Sequence, residues 1–230
     1  MKDDLLGRPI VLVVALAIVS LLPFLFMSVT AFVKISTVLQ IVRSAIGAQN
    51  VPSSTVVMAL SAALTLIAMA PVGEKIVDRV APIFNAKDAD TITIVRDGTA
   101  AVREPMRAFL KANASEREKA RFLAVARDAR RTSDDTAGAK PGVTKELVAD
   151  DDLTVLVPAF VVTELNEAFA LGFLIFLPFL VIDLVVSNVL LALGMQMMSP
   201  TQVSMPFKLL LFVAIDGWGL LAQALVAGYR

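Results

Sequence analysis

From Leu153 to Tyr229 the chain is almost unbroken apolar sequence, yet Glu164, Glu167, Asp183, Lys208 and Asp216 sit inside it. Placing one ion in hydrocarbon costs about 2.5–3.5 kcal/mol even on mild insertion scales, so charges kept there need partners, water or protein around them. The stretch therefore belongs in or against a membrane, as helices packed on other helices rather than on lipid alone.

Composition agrees. The hydrophobic fraction is 57% and the mean hydropathy +0.76, both well above the soluble-domain average. With 21 basic and 21 acidic residues the net charge is zero, so no basic field exists to hold nucleic acid by counterion release. The absence of cysteine and histidine excludes disulfides, thiol catalysis, zinc fingers and Ser-His-Asp triads. Most of the charges fall between Glu74 and Asp152, whereas Pro9–Val33 and Ser44–Gly73 carry none, and each exceeds the roughly 20 residues that cross a bilayer core. Residues 1–73 thus read as a first apolar hairpin, 74–152 as a polar insert and 153–230 as a second apolar hairpin. Met1–Ser20 lacks a convincing cleavage site after a weak charged start and reads as a retained segment.

Within hairpin one, a helix is expected from Ile10 to about Ile46, kinked at Pro23 and stopped by Gly47. Its partner begins after Pro52 with Ser53 or Ser54 as cap. Hairpin two is expected to rise from about Val155 through a joint at Pro178 to Met198 and to break at Ser199-Pro200 and Met205-Pro206. It then returns from Phe207 to about Ala227. The two rising helices would be roughly 55 and 65 Å long, about twice a 30 Å hydrocarbon core. Either Pro23 and Pro178 joint them or neighbouring subunits cover them outside the lipid. In the insert, Thr91–Val95 suggests a short strand and Pro105 the first turn of a helix. Ser115-Glu116-Arg117-Glu118 reads as a capping box, and Thr132–Asp152 as a flexible linker. Lys34, Arg43 and Lys208 near the hairpin turns put those turns in the cytoplasm and the insert on the periplasmic side.

Four of the nine methionines lie between Met195 and Met205, where the third helix breaks. Thioethers fill gaps in a core, and the same flexibility lets a ring of them close a pore around a passing chain; a ring requires several subunits. Glu164 and Glu167 stand one turn apart on a helix face, and Lys208 opens the return helix, so an ion pair within or between subunits would relieve their burial. Read as a proton relay, the same carboxylates would mark an ion-coupled small-solute transporter. Asp183 and Asp216 lack any protease motif and read as packed polar anchors. Lys34 reads as an interface or pore charge and Arg43 as a cytoplasmic-end anchor. Small residues at Ala59, Ala63, Ala168 and Gly172 have the spacing of close helix contacts.

Several segments resemble one family. Phe32-Val33-Lys34-Ile35, Val42 to Gln49, Val157-Pro158-Ala159-Phe160 with Glu164-Leu165, Gly172 to Asp183, and Pro206 to Leu210 with Asp216-Gly217-Trp218 are similar to the FliP/SctR (YscR, HrcR) family, with its injectisome branch the nearer. The resemblance covers both hairpins and reaches the insert loosely through Met106-Arg107-Ala108-Phe109-Leu110 and Phe122-Leu123. It implies an all-α, membrane-associated subunit of a type III secretion export apparatus at the bacterial inner membrane, multi-pass by sequence, with no enzymatic activity and no cofactor. Several copies, five by expectation, would join SctS-like and SctT-like partners in a pore drawn up out of the lipid toward the periplasm. An SctU-like switch protein and the export-gate and ATPase components would stand nearby, and unfolded polypeptides would pass. It further implies a pore gasket of Met195, Gln196, Met197 and Met198, with Gln196 standing in what is often an all-methionine run. Ion pairs between helices or subunits would draw on Glu164, Glu167, Lys208, Asp183, Asp216 and Lys34, and helix breaks would fall at Pro23, Pro178, Pro200 and Pro206.

Overall fold

A computed structural model describes residues 9–47, 52–85, 91–136, 149–195 and 197–229. They form eight helices: α1 (Pro9–Val29), α2 (Phe32–Ile46), α3 (Ser54–Asn85), α4 (Thr91–Asn113), α5 (Glu116–Thr136), α6 (Leu153–Ala192), α7 (Pro200–Ala214) and α8 (Gly217–Ala227). No strand occurs among the described residues. The strand expected at Thr91–Val95 is instead the start of α4, because β-propensity reports a fit to a sheet neighbour and none is present. Pro105 lies well inside α4 rather than in a first turn. Of the expected linker, Thr132–Thr136 completes α5 and Asp152 caps α6, while residues 137–148 lie outside the described residues.

Hairpin one breaks at a place different from the one expected. Pro23 is accommodated within α1, and the turn comes at Thr30-Ala31, where the axis bends by 73°. Thr30 is the cause: its hydroxyl donates to the Phe26 carbonyl at 2.6 Å and its oxygen accepts the Phe32 N–H at 3.3 Å, replacing helical bonds on both sides. At the other end Gly47 adopts φ +79°, the left-handed conformation glycine favours, and stops α2 as expected. The Ser53 hydroxyl accepts the Val56 N–H and caps α3, and Arg43 braces the turn by donating from Nε to the Pro52 carbonyl at 2.8 Å. Helix α3 then continues past Gly73-Glu74 to Asn85.

Hairpin two also departs from its proline signals. Helix α6 runs through Pro158 and Pro178 and ends at Ala192 rather than at Met198, the chain closing over its end at Gly194. Gly194 has φ +72°, the Met195 N–H reaches the Leu190 carbonyl and the Gly194 N–H the Leu191 carbonyl; this Schellman closure ends a helix without proline. Pro200 occupies the first turn of α7, where its missing N–H costs nothing, and Pro206 lies inside that helix instead of breaking it. The return is interrupted later, at Ile215-Asp216, with a 59° bend into α8. Asp216 takes φ +51°, a left-handed conformation costing an ordinary residue about 1–2 kcal/mol, though aspartate tolerates it better than most.

The core lies along α2, whose Ile35, Val38, Leu39 and Val42 are fully buried. Helix α6 is divided in its surroundings. Its first half packs Leu156, Ala159 and Phe160 against Phe109, Leu110 and Ala114 of the insert. Its second half is largely bare: Phe173, Leu174, Val181, Leu184 and Val185 are each more than half exposed. The excess length of this helix therefore has an explanation within the chain. The insert covers the first half, and Phe169–Ala192 leaves about 36 Å for a hydrocarbon core of about 30 Å. By length and composition Ser54–Ile83 and Leu153–Ala192 can each cross a membrane, and the bent pairs α1–α2 and α7–α8 raise the number to four if each is one span.

Candidate functional site

The boundary between the covered and bare halves of α6 is marked by a buried polar cluster. Lys34, in the first turn of α2, places its ammonium 3.2 Å from Glu164 Oε1 and 2.7 Å from Glu167 Oε2. Glu164 is 1% exposed and has both oxygens engaged, the second accepting the Tyr229 hydroxyl. The Lys34 ammonium also lies 4.4 Å from the centroid of the Tyr229 ring, where the negative face of the ring favours a cation. Tyr229 in turn stacks on Phe109 of the insert at 6.1 Å. One aromatic side chain at the end of the chain thus touches hairpin one, the insert and hairpin two. One cation faces two carboxylates, and the surplus negative charge belongs to Glu167, whose side chain is 53% exposed.

A second cluster lies farther along the hairpin. The Lys208 ammonium, 3% exposed, donates to Asp183 Oδ2 at 2.6 Å and to the Ala45 carbonyl at 3.2 Å. The latter is one of the carbonyls a helix leaves without an internal partner in its last turn, so Lys208 caps α2. Ser204, fully buried, donates to the other Asp183 oxygen at 2.5 Å. The two clusters pin α2 to hairpin two at both ends.

Among the residues singled out by sequence, the structure brings Lys34 to Glu164 and Glu167, and Lys208 to Asp183. Within the chain Glu164 and Lys208 do not pair with each other. Lys34, expected at an interface or pore, is 6% exposed and held inside the subunit. Asp216 is exposed and makes no side-chain hydrogen bond or ion pair among the described residues; Gly219 leaves room for its carboxylate, which a Cβ there would strike. Gly172 packs on Ile41, where a Cβ would come within 2.5 Å of Ile41 Cδ1, so close approach of α2 and α6 needs a glycine. Ala168 is buried beside it, whereas Ala59 and Ala63 point outward and Ser61, Leu64, Thr65 and Ala68 fill the inner face of α3. Of the capping box, the Ser115 hydroxyl accepts the Glu118 N–H, but the Ser115 N–H turns to Thr163 of α6 and the Glu118 carboxylate to Arg121.

The methionine segment sits at the tip. Met197 is fully exposed and Met195 and Met198 are 42% and 44% exposed, while Gln196 lies outside the described residues. The Gly194 closure directs this tip off the end of α6, flanked by the uncovered apolar faces of α6 and α7. Among the described residues none covers Met197. Tyr229 and Thr30 are the residues that sequence reasoning passed over. The lone tyrosine in an apolar tail was the available signal for the first, since a buried phenol needs a partner for its hydroxyl. Among the described residues no group of three or more His, Cys, Asp or Glu is placed to hold a metal.

Comparison with known proteins identifies relatives of this chain. The FliP family profile matches residues 15–225. The chain is 42% identical to hypersensitivity response secretion protein HrcR of Ralstonia nicotianae over 95% of this chain and 96% of that one. It is 40% identical to Yop proteins translocation protein R of Yersinia pestis, over 95% of both chains. It is 38% identical to surface presentation of antigens protein SpaP of Shigella flexneri, again over 95% of both.

Proposed function

Because the chain belongs to the FliP family, we propose that its exposed methionine tip and bare hairpin are the parts with which it builds a secretion channel. It is an inner-membrane subunit of a type III secretion export apparatus and acts with other secretion subunits, as its relatives' names and its apolar helices indicate. Beyond that, several copies, five by expectation, join SctS-like and SctT-like partners. The joined tips surround a passage for unfolded polypeptide, near an SctU-like switch protein and the components that supply energy. The assembled form projects toward the periplasm.

The observation that carries this reading is Met197, fully exposed at a tip flanked by uncovered apolar helix. A flexible thioether left without packing is poor design for a monomer and suits a seal completed by copies of itself. Charge supports the same reading. Glu164 and Lys208 are closed by partners in their own chain and would have to exchange them to pair between subunits. Glu167 and Asp216 are already open to a neighbour's cation. Ion-coupled solute transport finds no support: the relatives carry secretion and translocation names, and both oxygens of Glu164 are occupied by Lys34 and Tyr229.

Deleting the gene should stop secretion of type III substrates while signal-peptide-dependent export continues. Restoring the chain with Met195, Met197 and Met198 all changed to alanine should rebuild the complex but let small solutes leak. Secretion that survives the deletion contradicts membership of the apparatus, and unchanged permeability in assembled complexes contradicts the seal.

A further inference from the structure

Two glutamines stand at a depth where an amide has no water to turn to. Gln40 on α2 and Gln223 on α8 are both exposed, and neither side chain has a hydrogen-bond partner among the described residues. A hydroxyl on an apolar helix can return to its own backbone, as Ser44 does to the Gln40 carbonyl at 2.9 Å. A glutamine amide, with two donors and an acceptor, needs a group from elsewhere. Gly172 packs on Ile41, and Gln40 shares a cleft with Phe176, so Gln40 stands beside residues 172–176, inside the half of α6 that matches the hydrocarbon core. Helix α8 is fixed in height at both ends. Trp218 meets Phe212 edge-on at 5.1 Å and Phe212 lies 6.2 Å from Phe179, while Tyr229 reaches Glu164. Gln223 falls midway between these anchors, near the height of Gly172 and within about one helical turn of Gln40. Asn188 and Gln202, the other exposed amides alongside that half among the described residues, lie about 20 Å nearer the tip.

The two amides leave the subunit on different sides. Ile35, Val38, Leu39 and Val42 turn α2 toward the core, and Leu225, with Trp218, Leu221 and Ala222, turns α8 toward the same core from another direction. At about 100° per residue, Gln40 lies on the far side of α2 from that core and Gln223 on the far side of α8. Their surroundings are complementary. Gln223 stands beside exposed Ala224 and Ala227, small enough to let another helix come close. Around Gln40 a cleft of about 310 Å³ opens between Thr37, Ile41, Ser44 and Phe176, with room for a side chain entering from outside. An acyl chain can fill that cleft but satisfies neither amide, and hydrocarbon supplies no water. Two amides laid side by side complete each other, each giving a donor and accepting one.

We propose that Gln223 of one copy enters the α2–α6 cleft of the next and pairs with its Gln40, so that copies join face to back at one height. The inference rests on the reading that several copies assemble, and supplies a contact that joins them. A contact between two different patches closes into a ring or winds into a helix instead of stopping at a dimer. Because the chain has no cysteine of its own, Gln40→Cys and Gln223→Cys each introduce one reactive site. In the apparatus expressed with its partner subunits, chains carrying both should link into a ladder of multimers under a short thiol-to-thiol reagent. Chains carrying either one alone should stay single, and the two single variants expressed together should give dimers. Gln223→Leu should lower the yield of multi-copy complexes about fivefold, and adding Gln40→Leu should restore most of it, because no amide is then left orphaned. Native mass of the parent complex gives the copy number independently. One copy per complex would contradict the multi-copy reading and this contact with it, whereas several copies without a link from residue 40 to residue 223 would overturn this contact alone. Links between residues 40 of two copies, or from residue 40 to a different subunit, would overturn it as well.

Discussion

Replacing Lys34 by methionine should cost about 3–5 kcal/mol of subunit stability, one of the largest losses available from a single side chain in this fold. Glu164 is 1% exposed, and removing Lys34 leaves its charge buried with only the Tyr229 hydroxyl as donor. Glu167, half-exposed, can turn to water and should contribute little to the loss. The penalty comes from an orphaned ion rather than from a missing attraction, so removing the second ion should recover it. Lys34→Met combined with Glu164→Leu is therefore expected to regain most of the stability, since a well-packed apolar replacement of a buried pair is often neutral. Denaturant titration in detergent, followed by helical circular dichroism, measures both. A single variant within about 0.5 kcal/mol of the parent would show that Glu164 is not held as the structure places it.

Gly172→Leu should be the second large effect, for a steric reason. A Cβ at residue 172 would sit 2.5 Å from Ile41 Cδ1, 3.0 Å from Cγ2 and 3.3 Å from Cβ. The methyl at the end of the chain can rotate away, but the branched Cβ of isoleucine cannot, so α2 and α6 must separate. Overpacking of this kind costs about 1–3 kcal/mol, against a helix-propensity gain of about 1 kcal/mol on leaving glycine. Because α2 is pinned to hairpin two at both ends by Lys34 and Lys208, the helices cannot slide to relieve the clash. Ile41→Ala in the same chain should restore the parent stability. Failure of that rescue would mean the contact is not the one that limits the approach.

What sequence could convey here follows from how local each feature is. Gly47 and the caps at Ser53 and Ser115 were legible, because a stop or a cap is decided by a few neighbouring atoms. Pro206 misled, since it stays within α7, and Pro23 and Pro178 lie inside their helices, while the chain turns at the Thr30 hydroxyl, the Gly194 closure and the left-handed Asp216. Each of those is a hydrogen-bond arrangement rather than a residue type with a loud signal. The ionic partners were the least legible. All three carboxylates and both lysines of the clusters were candidates for ion pairs, but Lys34 and Glu164 are 130 residues apart, and no periodicity along one helix reveals which cation a fold delivers to which acid. The length of α6 was read correctly as too great for a bilayer, and its division followed only once the insert was seen packed on its first half.

The sequence contains no cysteine, so one introduced at residue 197 reports from a single place. A secretion substrate stalled in the assembled apparatus by a folded fusion, and carrying one cysteine in its trapped segment, can be probed with a short thiol-to-thiol cross-linker. If the joined tips surround the passage, Met197→Cys links to the trapped polypeptide and Phe24→Cys, on the outer face of α1, does not. Linking at both positions alike, or labelling of residue 197 by lipid-phase reagents with the substrate untouched, would place the tip outside any channel.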